Sequence, residues 1–178
     1  KKDGFWHLSS STENEVKAKA VIIAAGAGAF GPNRPPLEGL KSYEGKSVHY
    51  MVQRKEDFRD KIIAIAGGGD SAVDWALSLA PLAKKLYVIH RRDKFRAAPE
   101  SVRQMEELAA AGKLELVVPY QMDDLVGDGE QLTGIHVSSL EGLQKTLQID
   151  TLLLFYGLSM SLGPIAEWGL GIDNHHIL

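Results

Sequence analysis

Cysteine does not occur anywhere in these 178 residues. Its absence excludes disulfides, thiolate metal sites, iron–sulfur ligation and dithiol redox chemistry carried by this chain. No apolar run approaches the roughly 18 residues that span a bilayer, so no membrane partner is expected. Basic charge is not in excess either. The 20 Lys and Arg are outnumbered by 23 Asp and Glu, for a net charge of −3. A general nucleic-acid surface is therefore not expected, and any phosphate recognition has to be local. The opening Lys1-Lys2-Asp3-Gly4-Phe5-Trp6-His7 has neither an initiator Met nor the apolar core of a signal peptide. It reads as a cytoplasmic segment cut from a longer chain.

What remains is an ordinary globular composition, 44% hydrophobic and 24% charged, sufficient for one good core. Phe5–Leu8 and Val16–Ala25 read as a hairpin across the polar turn Ser9–Asn14, the second strand becoming wholly apolar and buried at Val21–Ala25. Gly26–Pro36 is so rich in Gly and Pro that neither strand nor helix is expected there. Ile62–Ala66 is a continuous apolar run of the kind found in a parallel strand covered on both faces. Glycines end it, Ala72, Trp75, Ala76, Leu79 and Leu82 then recur at helical spacing, and Leu86–Ile89 follows as a second strand, completing a βαβ unit.

Pro99–Ala111 has helical composition and Gly112 to stop it, and Leu114–Val118 reads as a third strand. Alternating segments near Gln121–Val126, Gly134–Ser139 and Lys145–Ile149, separated by turn residues, predict an antiparallel meander. Leu152–Phe155 reads as a further buried strand, and Gly163-Pro164 opens a short turn or helix through Trp168. The fold class expected is α/β, a Rossmann-like three-layer domain with a parallel central sheet and an antiparallel β-meander.

Gly67-Gly68-Gly69-Asp70-Ser71-Ala72 fits the dinucleotide fingerprint G-x-G-x-x-A. Small residues stand where the chain must turn tightly and approach both a pyrophosphate and the next helix. The context gives the motif weight, because it follows a strand, opens a helix and is completed by a second strand, so backbone N–H groups would face phosphate. The plain alternative is a ligand-free strand-to-helix turn. Cofactor choice is written at the end of the second strand, where NAD-binding domains place a carboxylate on the ribose 2′-hydroxyl. Here that position is His90, followed by Arg91, Arg92 and Arg96. Guanidinium forks suit a 2′-phosphate, so NADP(H) is favoured over NAD(H). The plain alternative for the basic run is a solvated loop.

The run Gly67–Leu77 together with His90–Ala97 resembles thioredoxin-reductase-type flavoproteins, and within them most resembles the ferredoxin/flavodoxin–NADP reductases of the thioredoxin-reductase-like class. Val21–Gly26 resembles the strand leaving the FAD domain of that family, and Leu162–Leu170 its re-entry, so the likeness covers nearly the whole chain. The resemblance implies FAD in the intact protein, hydride transfer between NADPH and FAD, and onward electrons to ferredoxin or flavodoxin. It also implies a homodimer, with the fragment monomeric. It divides the chain into residues 1–40, a remnant of the FAD-domain hairpin and connector; 41–155, the NADP(H)-binding domain; and 156–178, the return toward the FAD domain.

Thioredoxin reductases carry a Cys-x-x-Cys pair in the segment corresponding to His49–Gln53, and no cysteine stands there. That points away from a dithiol relay and toward direct electron transfer from flavin. The family's N-terminal Gly-rich and C-terminal Gly-Asp FAD motifs do not occur in these residues. By the same resemblance Phe30 contacts the flavin, the alternative being an aromatic packed at a domain junction. Gly157 is a candidate for close backbone access to the nucleotide, or a plain turn glycine.

No catalytic side chain and no metal ligand is assigned. The adjacent pairs His175-His176 and Asp123-Asp124 point to opposite faces of an extended strand, Asp128 reads as a turn residue, and Trp75 and Trp168 read as core. Two alternatives remain at this stage: a stand-alone NADP(H)-binding module without redox activity, and the NADPH domain of a disulfide reductase whose Cys lies elsewhere.

Overall fold

The structure is a computed structural model that describes residues 2–24, 29–173 and 176–177. It comprises two compact units, one built from Pro32–Ser159 and the other from the chain on either side of it. In the flanking unit, β1 (Trp6–Ser9) and β2 (Glu15–Ala18) form the expected hairpin, paired from Trp6↔Ala18 to Ser9↔Glu15. Ser10 Oγ closes its turn by accepting the Thr12 and Asn14 N–H groups.

The buried strand expected over Val21–Ala25 does not form over its described part. Residues 19–24 are irregular and Ile22 is 91% exposed. An apolar run becomes a strand only where a neighbour takes up its backbone hydrogen bonds, and residues 21–24 have no such neighbour among the described residues. Ala25 and the connection Gly26–Gly28 lie outside the described residues. The rest of that connection corrects the sequence reading, since β3 (Ala29–Pro32) is a strand paired with Leu158–Ser161 in a two-stranded sheet. Both members of such a sheet are edges, where Pro is tolerated.

The larger unit begins with two elements that the sequence reading did not anticipate, helix α1 (Leu40–Tyr43) and strand β4 (Val48–His49). A 3₁₀ turn at Lys55–Phe58 leads into β5 (Ile62–Gly67), α2 (Asp70–Leu79), β6 (Lys85–Ile89), α3 (Pro99–Ala110) and β7 (Glu115–Val117). The meander follows as β8 (Gln121–Gly127), β9 (Leu132–Ser138) and β10 (Gln144–Gln148), and the chain then returns to the central sheet as β11 (Thr151–Phe155). The central sheet is wholly parallel in the order β4-β11-β5-β6-β7, and the meander is antiparallel in the order β10-β9-β8.

Alternation along the strands assigns the layers. Ile63, Ile65, Leu86, Val88 and Leu153 face α2 and α3, whereas Ala64, Ala66, Ile89, Leu152 and Leu154 face Leu132, Ile135 and Leu147 of the meander. The parallel sheet is therefore buried on both faces, which explains its unbroken apolar runs. Buried Ser47 ties the layers together, because its Oγ accepts the Leu132 N–H at 3.1 Å while its backbone carbonyl accepts the Leu152 N–H.

After β11 come β12 (Leu158–Ser161), a 3₁₀ helix at Gly163–Glu167, and a short pair, β13 (Ile172–Asp173) with β14 (His176–Ile177). Trp168 is 48% exposed, contrary to the expectation of a core residue, because no buried cluster reaches the segment that carries it. Trp75 does pack against the core beneath α2. Asp128 sits in a turn, its carboxylate accepting the Glu130 and Gln131 N–H groups. His175 and the side chain of His176 lie outside the described residues. Among the described residues, no helix is long and apolar enough to cross a membrane and no cluster of His, Asp or Glu could hold a metal ion.

Candidate functional site

A cleft of about 860 Å³ opens within the larger unit at the carboxyl ends of β5, β6 and β11. The chain proceeds from β5 through β6 to β7 on one side of the sheet and then crosses to β11 on the other. This is the topological switch point at which open parallel sheets leave a crevice.

The three glycines of the fingerprint have three different jobs. A Cβ on Gly67 would lie 2.7 Å from the Phe155 carbonyl oxygen and 2.9 Å from Ala72 Cβ, so this glycine lets β5 close against β11 and α2. A Cβ on Gly68 would meet the imidazole of His90 at 2.2–2.5 Å. Around Gly69, the N-cap of α2, no described residue comes within 4 Å of the equivalent position. The third glycine thus presents bare backbone to the open cleft. Among the described residues no side chain caps α2; the Ala72 N–H donates to the Gly69 carbonyl at 3.0 Å, and the Asp70 and Ser71 N–H groups are left for an external acceptor. Ser71 is exposed beside them. Asp70, also in the cleft lining, accepts the Ala98 N–H with its Oδ1 at 2.8 Å.

His90 ends β6 and is only 9% exposed, its ring 5.1 Å from that of buried Phe95. Burial holds its pKa below the ordinary value, opposed by a hydrogen bond with the Lys94 backbone and reinforced by the charges of Arg96, Arg91 and Arg92. The imidazole is thus neutral at pH 7, and its Nε2 is a buried polar atom with no partner among the described residues. The three arginines that follow are exposed, and none forms an ion pair among the described residues. Arg91 and Arg96 line the cleft beside Gly67–Ala72, whereas Arg92 stands outside that lining.

Gly157, also in the lining, has φ +85° and forms the turn after β11, where its carbonyl accepts the Asn33 N–H at 3.0 Å. Phe30 falls in β3, but its side chain lies outside the described residues.

Three aromatic residues of the cleft were not read from the sequence. Tyr120 is 7% exposed, its N–H donating to the His90 carbonyl. Tyr156 follows β11, and burial raises its phenol to about 12 against the pull of Arg91. Tyr50 immediately follows β4. It donates to Glu44 Oε1 at 2.5 Å, burial and that carboxylate raise it to about 12, and Arg34 stacks over its ring while pairing with the same Glu44. No local motif marks these residues, because only the packing of β4 and of the loops after β7 and β11 brings them to one cleft.

The chain is 56% identical over 175 residues to a protein of Paramagnetospirillum magneticum named ferredoxin–NADP reductase, a match covering 98% of this chain and 52% of the relative. It is 57% identical to a protein of the same name from Granulibacter bethesdensis, covering 98% and 50%. It therefore spans about half the length of these curated relatives. Its fold is that of thioredoxin reductase from Lactococcus lactis, with a TM-score of 0.77 at 22% identity over 99% of this chain and 57% of that one. The family described as pyridine nucleotide-disulphide oxidoreductase matches residues 3–177, and this chain, though free of cysteine, belongs to it.

Proposed function

We propose that the larger unit is the NADP(H)-binding domain of a flavin-dependent ferredoxin–NADP reductase. The observation that carries the reading is the joint geometry of one cleft, in which bare backbone at Gly69 opens α2 beside the unpaired Arg91 and Arg96. Pyrophosphate fits the helix N-terminus. A 2′-phosphate fits the guanidinium groups, which offer paired, charge-assisted hydrogen bonds, with Arg92 within the same exposed loop. The buried imidazole of His90 backs Gly68 and so bears on the site through the glycine loop.

When both cofactors are bound, the chemistry they supply is hydride transfer between nicotinamide and flavin, which needs no side-chain acid or base. The residues of this chain bind and orient the dinucleotide. We assign FAD binding to the intact protein, with the segments flanking the larger unit belonging to its FAD domain. We assign ferredoxin, or a flavodoxin of equivalent one-electron chemistry, as the acceptor. Support for the acceptor comes from the names of the relatives and from the absence of any thiol on this chain to run a disulfide relay.

The test is titration of the chain with NADPH and with NADH. NADPH is expected to bind more tightly, and Arg91→Ala to weaken it by roughly tenfold to a hundredfold, the equivalent of one or two charge-assisted hydrogen bonds, with NADH little changed. An equal loss for both dinucleotides would overturn the assignment. In the full-length protein, NADPH-dependent reduction of ferredoxin tests the acceptor.

A further inference from the structure

The phosphate loop and the basic loop are distant in sequence, yet two hydrogen bonds fasten one to the other. Arg96 N–H donates to the Gly68 carbonyl at 2.7 Å, and Ala98 N–H donates to Asp70 Oδ1 at 2.8 Å. Between the two donors, Ala97 is buried, as is Phe95 just before them, while Arg96 faces out. The second bond involves a side chain, so it can be removed without altering the backbone of either loop. It also lands on the N-cap of α3, whose next residue, Pro99, has no N–H to offer. Ala98 N–H is thus the last backbone donor before α3 begins, and Asp70 accepts it.

A carboxylate in a phosphate loop would ordinarily oppose the binding of an anion. In this chain the geometry points to another role. We propose that Asp70 is a positioning residue for cofactor discrimination, a strut that holds the Arg91–Ala98 loop in register with the Gly67–Ala72 loop so that Arg91 and Arg96 meet a 2′-phosphate while α2 holds the pyrophosphate. The inference rests on the reading of the cleft as an NADP(H) site. Asp70 itself makes no contact with the nucleotide in this scheme. Its effect reaches the ligand through Ala98 and the arginine loop.

Removing the carboxylate changes two things at once, a charge and an acceptor, and comparing two neutral variants separates them. Asp70→Asn keeps an acceptor oxygen for Ala98 N–H, whereas Asp70→Ala does not. Affinities for NADPH, NADH and 2′-phosphoadenosine 5′-phosphate are to be measured for the wild-type chain and for both variants, with unfolding midpoints in parallel.

NADPH and the 2′-phosphorylated probe are expected to bind the Ala variant about two- to tenfold more weakly than the Asn variant, the equivalent of one hydrogen bond. NADH is expected to bind the two variants within about twofold of each other. Equal NADPH affinity in the Ala and Asn variants overturns the proposal, and so does a loss shared equally by NADPH and NADH, which marks general damage to the phosphate loop. Failure of the wild-type chain to prefer NADPH would instead overturn the underlying assignment of the cleft.

Discussion

Gly68→Ala is the substitution whose consequence the structure specifies most closely. The new methyl would fall 2.2–2.5 Å from three atoms of the His90 ring, well inside van der Waals contact. The ring cannot swing away freely, because it is 9% exposed and lies against Phe95, itself 7% exposed. Overpacking of a closed site costs about 1–3 kcal/mol, offset in part by the 0.4–1 kcal/mol or so that Gly→Ala recovers from the unfolded chain. The net loss of about 1–2 kcal/mol corresponds to a fall of roughly 2–8 °C in Tm for a chain of this length.

Gly69→Ala provides the control. No described residue lies within 4 Å of its added methyl and its φ of −100° suits any residue, so stability should stay within about 0.5 kcal/mol of wild type. Under the proposed NADP(H) assignment its affinity for NADPH should nonetheless fall on the order of tenfold, because the methyl stands in the space assigned to phosphate. Urea unfolding and NADPH titration of both variants are the assay, extended by Gly68→Ala in a His90→Ala background. With the ring gone, most of the cost of the Gly68 methyl should vanish, a coupling on the order of 1 kcal/mol. An undiminished cost in that background would refute the assignment of His90 as the obstacle.

Ile65→Ala, at a site with no exposure in the layer facing α2, should cost about 2–5 kcal/mol in urea unfolding. Ser47→Ala strips the buried Leu132 N–H of its acceptor and should cost about 1–3 kcal/mol; thermal unfolding at wild-type midpoint would contradict the link it makes between meander and sheet. Burial lowers the pKa of His90 in the folded chain. The unfolded state therefore takes up a proton near pH 6.5 while the native state resists, and stability that is complete above that pH declines as pH falls through it. Urea midpoints between pH 7.5 and 5.5 should thus drop more for wild type than for His90→Gln, and parallel curves would count against a buried neutral ring.

Much of the site is legible in local sequence. The apolar run Ile62–Ala66, the glycines after it, the helical recurrence to Leu79 and the strand ending at His90 are contiguous, and each step follows from backbone sterics and burial acting over a few residues. That is why the βαβ unit could be read in advance, with Arg91 and Arg96 near Gly67–Ala72, while Arg92, expected with them, falls outside the cleft lining. The same local rules misread Val21–Ala25, because an apolar run needs a partner strand that no local rule supplies, and they misread Ala29–Pro32, where an edge pairing with Leu158–Ser161 tolerates Gly and Pro.

Tertiary structure alone decided the finer roles. It joined Asp70 to Ala98, set the His90 ring against Gly68 rather than in solvent, and brought Tyr50, Tyr120 and Tyr156 into one cleft. These groups come together from positions about 20 to more than 100 apart. The absence of cysteine, by contrast, needed only the sequence, since a thiol that is not in the chain cannot be supplied by any folding of it. Composition bounds the chemistry a chain can carry, and packing decides which of its groups face the ligand.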